Sequence, residues 1–198
     1  MSKGWTGSLV IMACLAVAVA GPDLSNFRAV FQTDHGDIHM AFYANVAPKT
    51  VDLIYSLMEA GAYNTNHFFR VDKGFVAQTA DVAGGRLAAM DWRQRDLAAK
   101  HVPLEVTPAV KHDKRGVLSL ARHSDPESGG SSFSILLGPA PHLDMQYTVF
   151  GCAPAWRTSL GGLCHYFVPW VCQAPWLPWP DPPSRSLLNA PIPPRPRQ

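Results

Sequence analysis

The chain has 198 residues, of which 47% are hydrophobic and 16% are charged. This length is typical of one compact domain with extensions, which excludes a large multidomain assembly. The 17 Lys and Arg residues exceed the 15 Asp and Glu residues by a net charge of +2. Nucleic acid is not expected as a partner, because sequence-independent binding requires a dense basic surface. No cysteine occurs between Gly21 and Gly151, so a hydrophobic core rather than disulfides must hold this region.

The N-terminus has the pattern of a secretory signal peptide. Lys3 precedes an unbroken apolar run over residues 9–20, which ends in Ala18-Val19-Ala20. This is the basic region, apolar region and small-residue cleavage site of such signals. The run is too short to cross a bilayer, which takes about 20 residues. We expect residues 1–20 to be removed, leaving a mature chain without membrane attachment in the endoplasmic reticulum lumen or outside the cell; a short buried helix is the alternative.

The central region begins with a predicted β-hairpin and a helix. Residues 27–31 and 37–43 are two apolar runs separated by the turn-rich residues 33–36, which favours antiparallel pairing. Pro48 suits the first position of a helix. Apolar residues then recur at helical spacing at Val51, Ile54, Tyr55 and Met58, before Gly61. This spacing predicts one amphipathic helix that packs on a sheet.

Further short strands are predicted after the helix. They cover residues 67–71, 75–78, 116–121, 133–137 and 147–150. Residues 84–100 contain helix-forming residues without a clear apolar stripe, so we interpret them as a surface insertion with one helix over residues 87–99. Many short strands and few helices are typical of a mainly β barrel or sandwich.

The composition changes abruptly at Cys152. Residues 152–198 contain 11 of the 18 prolines and 4 of the 6 tryptophans. Proline lacks a backbone donor, so central strands and helices are not expected there, and we interpret the segment as a disordered or aberrant extension. Its PxxP sequences leave a polyproline ligand as an alternative. A zinc site formed by Cys152, Cys164, His165 and Cys172 is not predicted, because the cysteines lack C-x2-C spacing; one disulfide plus a free thiol is expected instead.

A hydrolase site is also not predicted. Ser132, His142 and Asp144 are the residue types of a catalytic triad, but no G-x-S-x-G sequence introduces the serine. A different group, Arg70, Phe75 and Gln78, lies on a predicted strand–turn–strand. The arginine supplies a fixed cation, the glutamine an amide that can orient it, and the phenylalanine an apolar wall. Such a group suits a peptide ligand, although a strand arginine is more often a surface ion-pair partner.

The sequence around this group resembles a known family signature. Phe68-x-Arg70-Val71-x-x-Gly74-Phe75-Val76-x-Gln78 is similar to the signature of cyclophilin-type peptidyl-prolyl cis-trans isomerases. Further matching motifs follow in the family's order: 36–38, 47–51, 116–121, 131–133, 143–144 and 149–151. The resemblance covers residues 27–151 and is greatest to a divergent plant and algal secretory subgroup. It implies a mainly β, eight-stranded antiparallel barrel capped by two helices. Residues 152–198 do not resemble the family's last helix and closing strand, so we expect the barrel to lack both.

The resemblance also implies the site. Arg70 matches the family's catalytic arginine, Phe75 the floor of the proline pocket, and Gln78 the glutamine beside the arginine. Val76 replaces a methionine, while Ala121 and Leu143 keep the small groove residue and the pocket leucine. The departures are Arg122 for asparagine, Ser132 for glutamine, Ser134 for phenylalanine, His142 for tryptophan and Tyr147 for histidine. These changes imply a shallower, more polar pocket and argue against high-affinity cyclosporin binding.

The implied activity is rotation about X-Pro peptide bonds. It requires no metal or cofactor, takes proline-containing polypeptides as substrates, and would be carried out by a monomer that assists protein folding in the secretory pathway. Two alternatives remain open: a noncatalytic peptide-binding module of the same fold, or a truncated isoform that folds poorly.

Overall fold

The computed structural model describes residues 22–26 and 28–153, together with the backbone of residues 170–173. The predicted signal peptide and most of the C-terminal extension lie outside the described residues. The elements are β1 (Arg28–Thr33), β2 (Gly36–Phe42), α1 (Pro48–Glu59), β3 (Phe68–Val71), β4 (Val76–Thr79), α2 (Val82–Gly85), α3 (Trp92–Ala98), β5 (Val117–Leu120), β6 (Phe133–Leu136), a 3₁₀ turn (Pro141–Leu143), β7 (Val149–Cys152) and β8 (Trp170–Gln173).

The strands form one antiparallel sheet in the order β3-β4-β6-β5-β7-β2-β1-β8. The mainly β, antiparallel architecture is therefore as predicted. The backbone of β8 pairs with β1 at the end of the sheet, so one short strand does form within the proline-rich extension. The expectation that no strand forms in this extension is therefore wrong at residues 170–173. Among the described residues no ladder joins β8 to β3.

The first hairpin and helix follow the predicted boundaries closely. β1 and β2 pair from Arg28↔Ala41 to Thr33↔Gly36, and Gly36 takes a positive φ of 113° at the turn, a conformation that glycine adopts readily. The helix α1 begins at Pro48 without a side-chain cap from its own N-cap residue. Instead, the carboxylate of Glu105 accepts hydrogen bonds from the backbone N–H groups of Thr50 at 2.8 Å and Lys49 at 3.2 Å. These bonds satisfy donors that the start of a helix leaves open.

The core lies between the sheet and α1. The helix α1 contributes the buried side chains Val51, Leu53, Ile54, Leu57 and Met58 to this core. Opposite this face, the rings of Phe31, Phe42, Tyr63, Phe133 and Phe150 are all fully buried and contact one another at centroid distances of 5.5–6.3 Å. This aromatic cluster fixes the inner face of the sheet, so the groups that face outward are held on a rigid support.

The insertion differs from its prediction. The expected helix over residues 87–99 is too long, since α3 begins at Trp92 and a separate short helix, α2, precedes it. Asp91 accepts a hydrogen bond from the Gln94 backbone while the Gln94 side chain accepts one from the Asp91 backbone, and this capping box sets the start of α3. The backbone of Leu87 is held instead by the Thr65 hydroxyl. In the part of the chain that the structure describes, no helix is long and apolar enough to span a membrane.

Candidate functional site

The site is built first on the β3–β4 hairpin. Arg70 and Gln78 are direct partners across this hairpin, as the strand–turn–strand prediction requires. The connecting turn contains Gly74 with a φ of +76°, so the chain reverses tightly, and Phe75 lies directly before β4. The side chains of Arg70 and Phe75 therefore lie close together, with the guanidinium carbon 5.5 Å from the ring centroid, a distance typical of a cation–π contact.

A cavity of about 240 Å³ opens beside this hairpin. Nine of the predicted site residues line it: Arg70, Phe75, Val76, Gln78, Ala121, Arg122, Ser134, Leu143 and Tyr147. Ser119 and Leu120 complete the lining. The structure thus brings residues from β3, β4, β5, β6 and the 3₁₀ turn to one concave surface, with a cation on its rim and apolar groups on its floor. A small apolar ring is the kind of group that such a cavity can bury.

The arginine is held by a residue that the sequence analysis did not include. The Arg70 Nε donates to Asp72 Oδ2 at 2.7 Å, and Nη2 lies 2.6 Å from the same oxygen. The prediction that Gln78 fixes the guanidinium is wrong, because the Gln78 amide donates to the Ser132 hydroxyl at 3.2 Å. Among the described residues, Nη1 of Arg70 makes no hydrogen bond, and Arg70 lines the cavity.

The ring of His142 packs against Phe75 from outside the cavity lining. It stacks on Phe75 with a centroid distance of 5.4 Å and an interplanar angle of 29°. His142 does not line the cavity itself; it covers the outer face of the phenylalanine from the exposed 3₁₀ turn. The imidazole therefore takes up a supporting position beside the floor, and Leu143 provides the adjoining wall.

A second cavity of about 320 Å³ adjoins the first. It contains Ser132, the remaining predicted residue, and it shares Gln78, Ala121 and Arg122 with the first cavity. The Ser132 hydroxyl donates to the Thr79 carbonyl at 2.7 Å, so it ties β4 to the segment that leads into β6. The two cavities together form one groove that an extended peptide can follow.

Arg122 is fixed in the dividing wall between the cavities. Its Nε donates to the Gln146 carbonyl at 2.9 Å, and Nη1 donates to the His123 carbonyl at 2.8 Å. The guanidinium carbon lies 5.1 Å from the Tyr147 ring centroid. A planar guanidinium that is bonded along its edge and stacked on a ring is held in place, so the arginine and tyrosine form a rigid, polar side of the groove.

A buried hydrogen-bonded chain behind the cavity was missed by the sequence analysis. His112, which is fully buried, contacts Asp144 Oδ1 through Nδ1 at 2.9 Å and Ser119 Oγ through Nε2 at 3.0 Å. These hydrogen bonds do not join Ser132, His142 and Asp144, the triad residue types considered above, to one another. The backbone and ring hydrogen bonds from His112 hold the pKa of Asp144 below its ordinary value, since they stabilise the carboxylate.

The structure is an antiparallel β protein whose sheet carries a cavity lined by both polar and apolar side chains. The family model for cyclophilin-type peptidyl-prolyl cis-trans isomerases matches residues 28–153. The chain is 57% identical over 155 residues to the Arabidopsis thaliana peptidyl-prolyl cis-trans isomerase CYP23, covering 75% of this chain and 68% of that protein. It is 41% identical over 120 residues to the mouse peptidyl-prolyl cis-trans isomerase-like 3, covering 60% of this chain and 70% of the mouse protein.

A solved structure has the same fold. A cyclophilin-type isomerase of Cryptosporidium parvum, solved in the presence of the dipeptide Ala-Pro, superposes with a TM-score of 0.62 at 23% identity, covering 74% of this chain and 98% of that one. The chain belongs to the cyclophilin-type peptidyl-prolyl cis-trans isomerase family.

Proposed function

We propose that the chain accelerates cis–trans rotation about X-Pro bonds of polypeptides in the secretory pathway, as a monomer, and thereby assists their folding. The observation that carries this proposal is the placement of Arg70 at the rim of a cavity of about 240 Å³ whose floor is Phe75. The Cryptosporidium parvum relative was solved in the presence of Ala-Pro, which is consistent with a proline-containing ligand in a groove of this fold.

The chemistry requires little more than a well-placed donor. Rotation about a peptide bond faces a barrier of about 18–20 kcal/mol because the nitrogen lone pair is conjugated with the carbonyl. In the twisted state this conjugation is lost and the prolyl nitrogen becomes a better hydrogen-bond acceptor. A donor that meets this nitrogen binds the twisted state more tightly than either planar state, and such differential binding is catalysis. Arg70 is a cation in the lining of the cavity, and in this proposal its Nη1, which Asp72 does not engage, is the donor.

The walls hold the ring while the bond turns. Phe75 and Leu143 provide apolar surface for the pyrrolidine, and Val76 adds to the same side of the cavity. Asp72 keeps the guanidinium from rotating away, because it holds Nε and Nη2 on one oxygen. A donor that is already in place needs no reorganisation when the twisted state forms. The mechanism uses neither a nucleophile nor a covalent intermediate.

The activity is tested with the full chain and a short X-Pro peptide in a protease-coupled assay. Uncatalysed isomerisation takes tens to hundreds of seconds, so catalysis appears as a rate that rises linearly with protein concentration. A circular dichroism melt of the same sample checks that the chain folds cooperatively. Saturable peptide binding without any acceleration would instead select the noncatalytic module, which the polar residues Arg122, Ser132 and Ser134 in the groove favour.

The compartment is tested separately. The apolar run over residues 9–20 and the Ala18-Val19-Ala20 sequence support cleavage on translocation into the endoplasmic reticulum. N-terminal sequencing of the protein recovered from eukaryotic cells should give a start close to Gly21. Recovery of a chain that still begins at Met1 would contradict a secretory location.

A further inference from the structure

A histidine without solvent contact connects the back of the cavity to its side wall. His112 is 0% exposed and lies in the loop before β5, while Ser119 is 3% exposed and lies on β5 at the back of the cavity. Asp144 directly follows the 3₁₀ turn that carries Leu143. The imidazole bridges the two, at 3.0 Å to the serine hydroxyl and 2.9 Å to the carboxylate.

The chemistry of the three groups fixes the direction of these hydrogen bonds. A carboxylate accepts hydrogen bonds and donates none, so His112 Nδ1 carries a hydrogen and donates to Asp144. In the neutral ring Nε2 is then the acceptor, and the Ser119 hydroxyl donates to it. The Asp144 carboxylate also accepts the backbone N–H of His112 at 2.8 Å. Since these bonds hold its pKa below the ordinary value, Asp144 is charged at neutral pH.

His112 supplies three of the hydrogen bonds that attach residues 140–147, the segment that carries Leu143, to the rest of the protein. Within residues 140–147 most hydrogen bonds are local, such as Tyr147 N–H to the Leu143 carbonyl at 3.1 Å. His112 ties the segment to the sheet through its backbone N–H, its Nδ1 and its carbonyl, which accepts from Ala140 at 2.8 Å. Arg122 Nε adds a hydrogen bond to the Gln146 carbonyl, and ring contacts of His142 with Phe75 and of Tyr147 with Arg122 also hold the segment.

The arrangement does not make a hydrolase. Ser119 lines the cavity with only 3% of its surface exposed, and its hydroxyl is hydrogen-bonded to the buried imidazole. A nucleophile must instead reach the reacting carbon of a bound substrate. The role of the three hydrogen-bonded residues is therefore to hold other groups in place.

We propose that Ser119, His112 and Asp144 form a positioning relay that sets the place of the Leu143 wall and so determines affinity for the X-Pro ring. This inference rests on the proposed function, because it concerns the same cavity. Arg70 lies on the β3–β4 hairpin and its hydrogen bonds and ion pair go to Asp72 rather than to the relay, so relay variants should alter peptide binding far more than the step of rotation.

The test compares Asp144→Ala with wild type in the full chain, using NMR titration of a proline-containing tetrapeptide and steady-state isomerisation. We expect Kd and KM to rise about 5-fold with kcat within about 2-fold, the size of change given by partial loss of one apolar contact. Asp144→Asn keeps an oxygen that accepts from His112, so it should restore Kd to within about 2-fold of wild type. Asp96→Ala, an exposed aspartate on α3, is the matched control.

The outcomes separate the relay from a purely structural role. A smaller folded fraction lowers the apparent kcat without changing KM or Kd, and that pattern would overturn the relay. Equal binding by wild type and Asp144→Ala would overturn it as well, while leaving the proposed function intact. If the wild-type protein neither binds nor isomerises the peptide, both the relay and the proposed function are rejected. Should Asp144→Ala fail to fold, Ser119→Ala decides: a rise in Kd of more than about 2-fold supports the relay, and a Kd within about 2-fold of wild type rejects it.

Discussion

Replacing Arg70 with alanine should lower kcat/KM for X-Pro isomerisation by about 100-fold or more, the loss seen when one preorganised transition-state donor is removed. The side chain is 47% exposed and its partner Asp72 is 46% exposed, and an ion pair as exposed as this adds little to stability. The variant should therefore melt close to wild type. Because the donor acts mainly in the twisted state, the Kd for the peptide should change far less than kcat.

Two further variants make this result specific. Arg93 lies exposed on α3, away from the groove, so Arg93→Ala removes the same charge without touching the site. Arg70→Lys keeps the charge but loses the planar fork, so it should fall between wild type and alanine. Full activity in Arg70→Ala would remove the guanidinium from the mechanism.

Replacing Ser134 with phenylalanine should strengthen binding of an X-Pro peptide by about 10-fold. Resemblance to the family places a phenylalanine at this position, and Ser134 lines the cavity. Burial of one aromatic side chain contributes about 1.5–3 kcal/mol, and about 1.4 kcal/mol corresponds to a factor of ten in Kd. The cavity of about 240 Å³ gives the new ring space beside Phe75. Isothermal titration with the peptide measures the change.

The control places the same ring outside the groove. Ser124 is exposed in the loop after β5 and does not line either cavity, so Ser124→Phe should leave Kd unaltered. If Ser134→Phe binds no better than wild type while it remains folded, the polar character of the pocket does not limit its affinity.

Local patterns predicted those parts of the structure whose contacts are local. The first hairpin and α1 follow from alternation and helical spacing over a few residues, and the pairing of Arg70 with Gln78 follows from one short turn. Asp72 directly follows the end of β3, two residues after Arg70, so its contact with the arginine is also a local one. The start of α3 was missed because a capping box outweighed helix propensity in residues 87–91.

The rest of the groove depends on contacts between distant parts of the chain. Ala121, Ser134 and Leu143 come from separate elements, so no pattern in the sequence alone brings them to Arg70, and family resemblance supplied their roles. His112 shows the limit most clearly. Its partners lie 7 and 32 residues along the chain, and neither spacing is a signal of contact in a β protein.

The wall shared by the two cavities constrains how this enzyme can diverge. Gln78, Ala121 and Arg122 face both the space for the ring and the neighbouring space. A substitution that refits the groove to a new flanking side chain will thus also disturb the seat of the proline. Under the proposed function, the choice of substrate and the rate of turnover are coupled through these three residues, so a lineage that changes one of these traits changes the other with it.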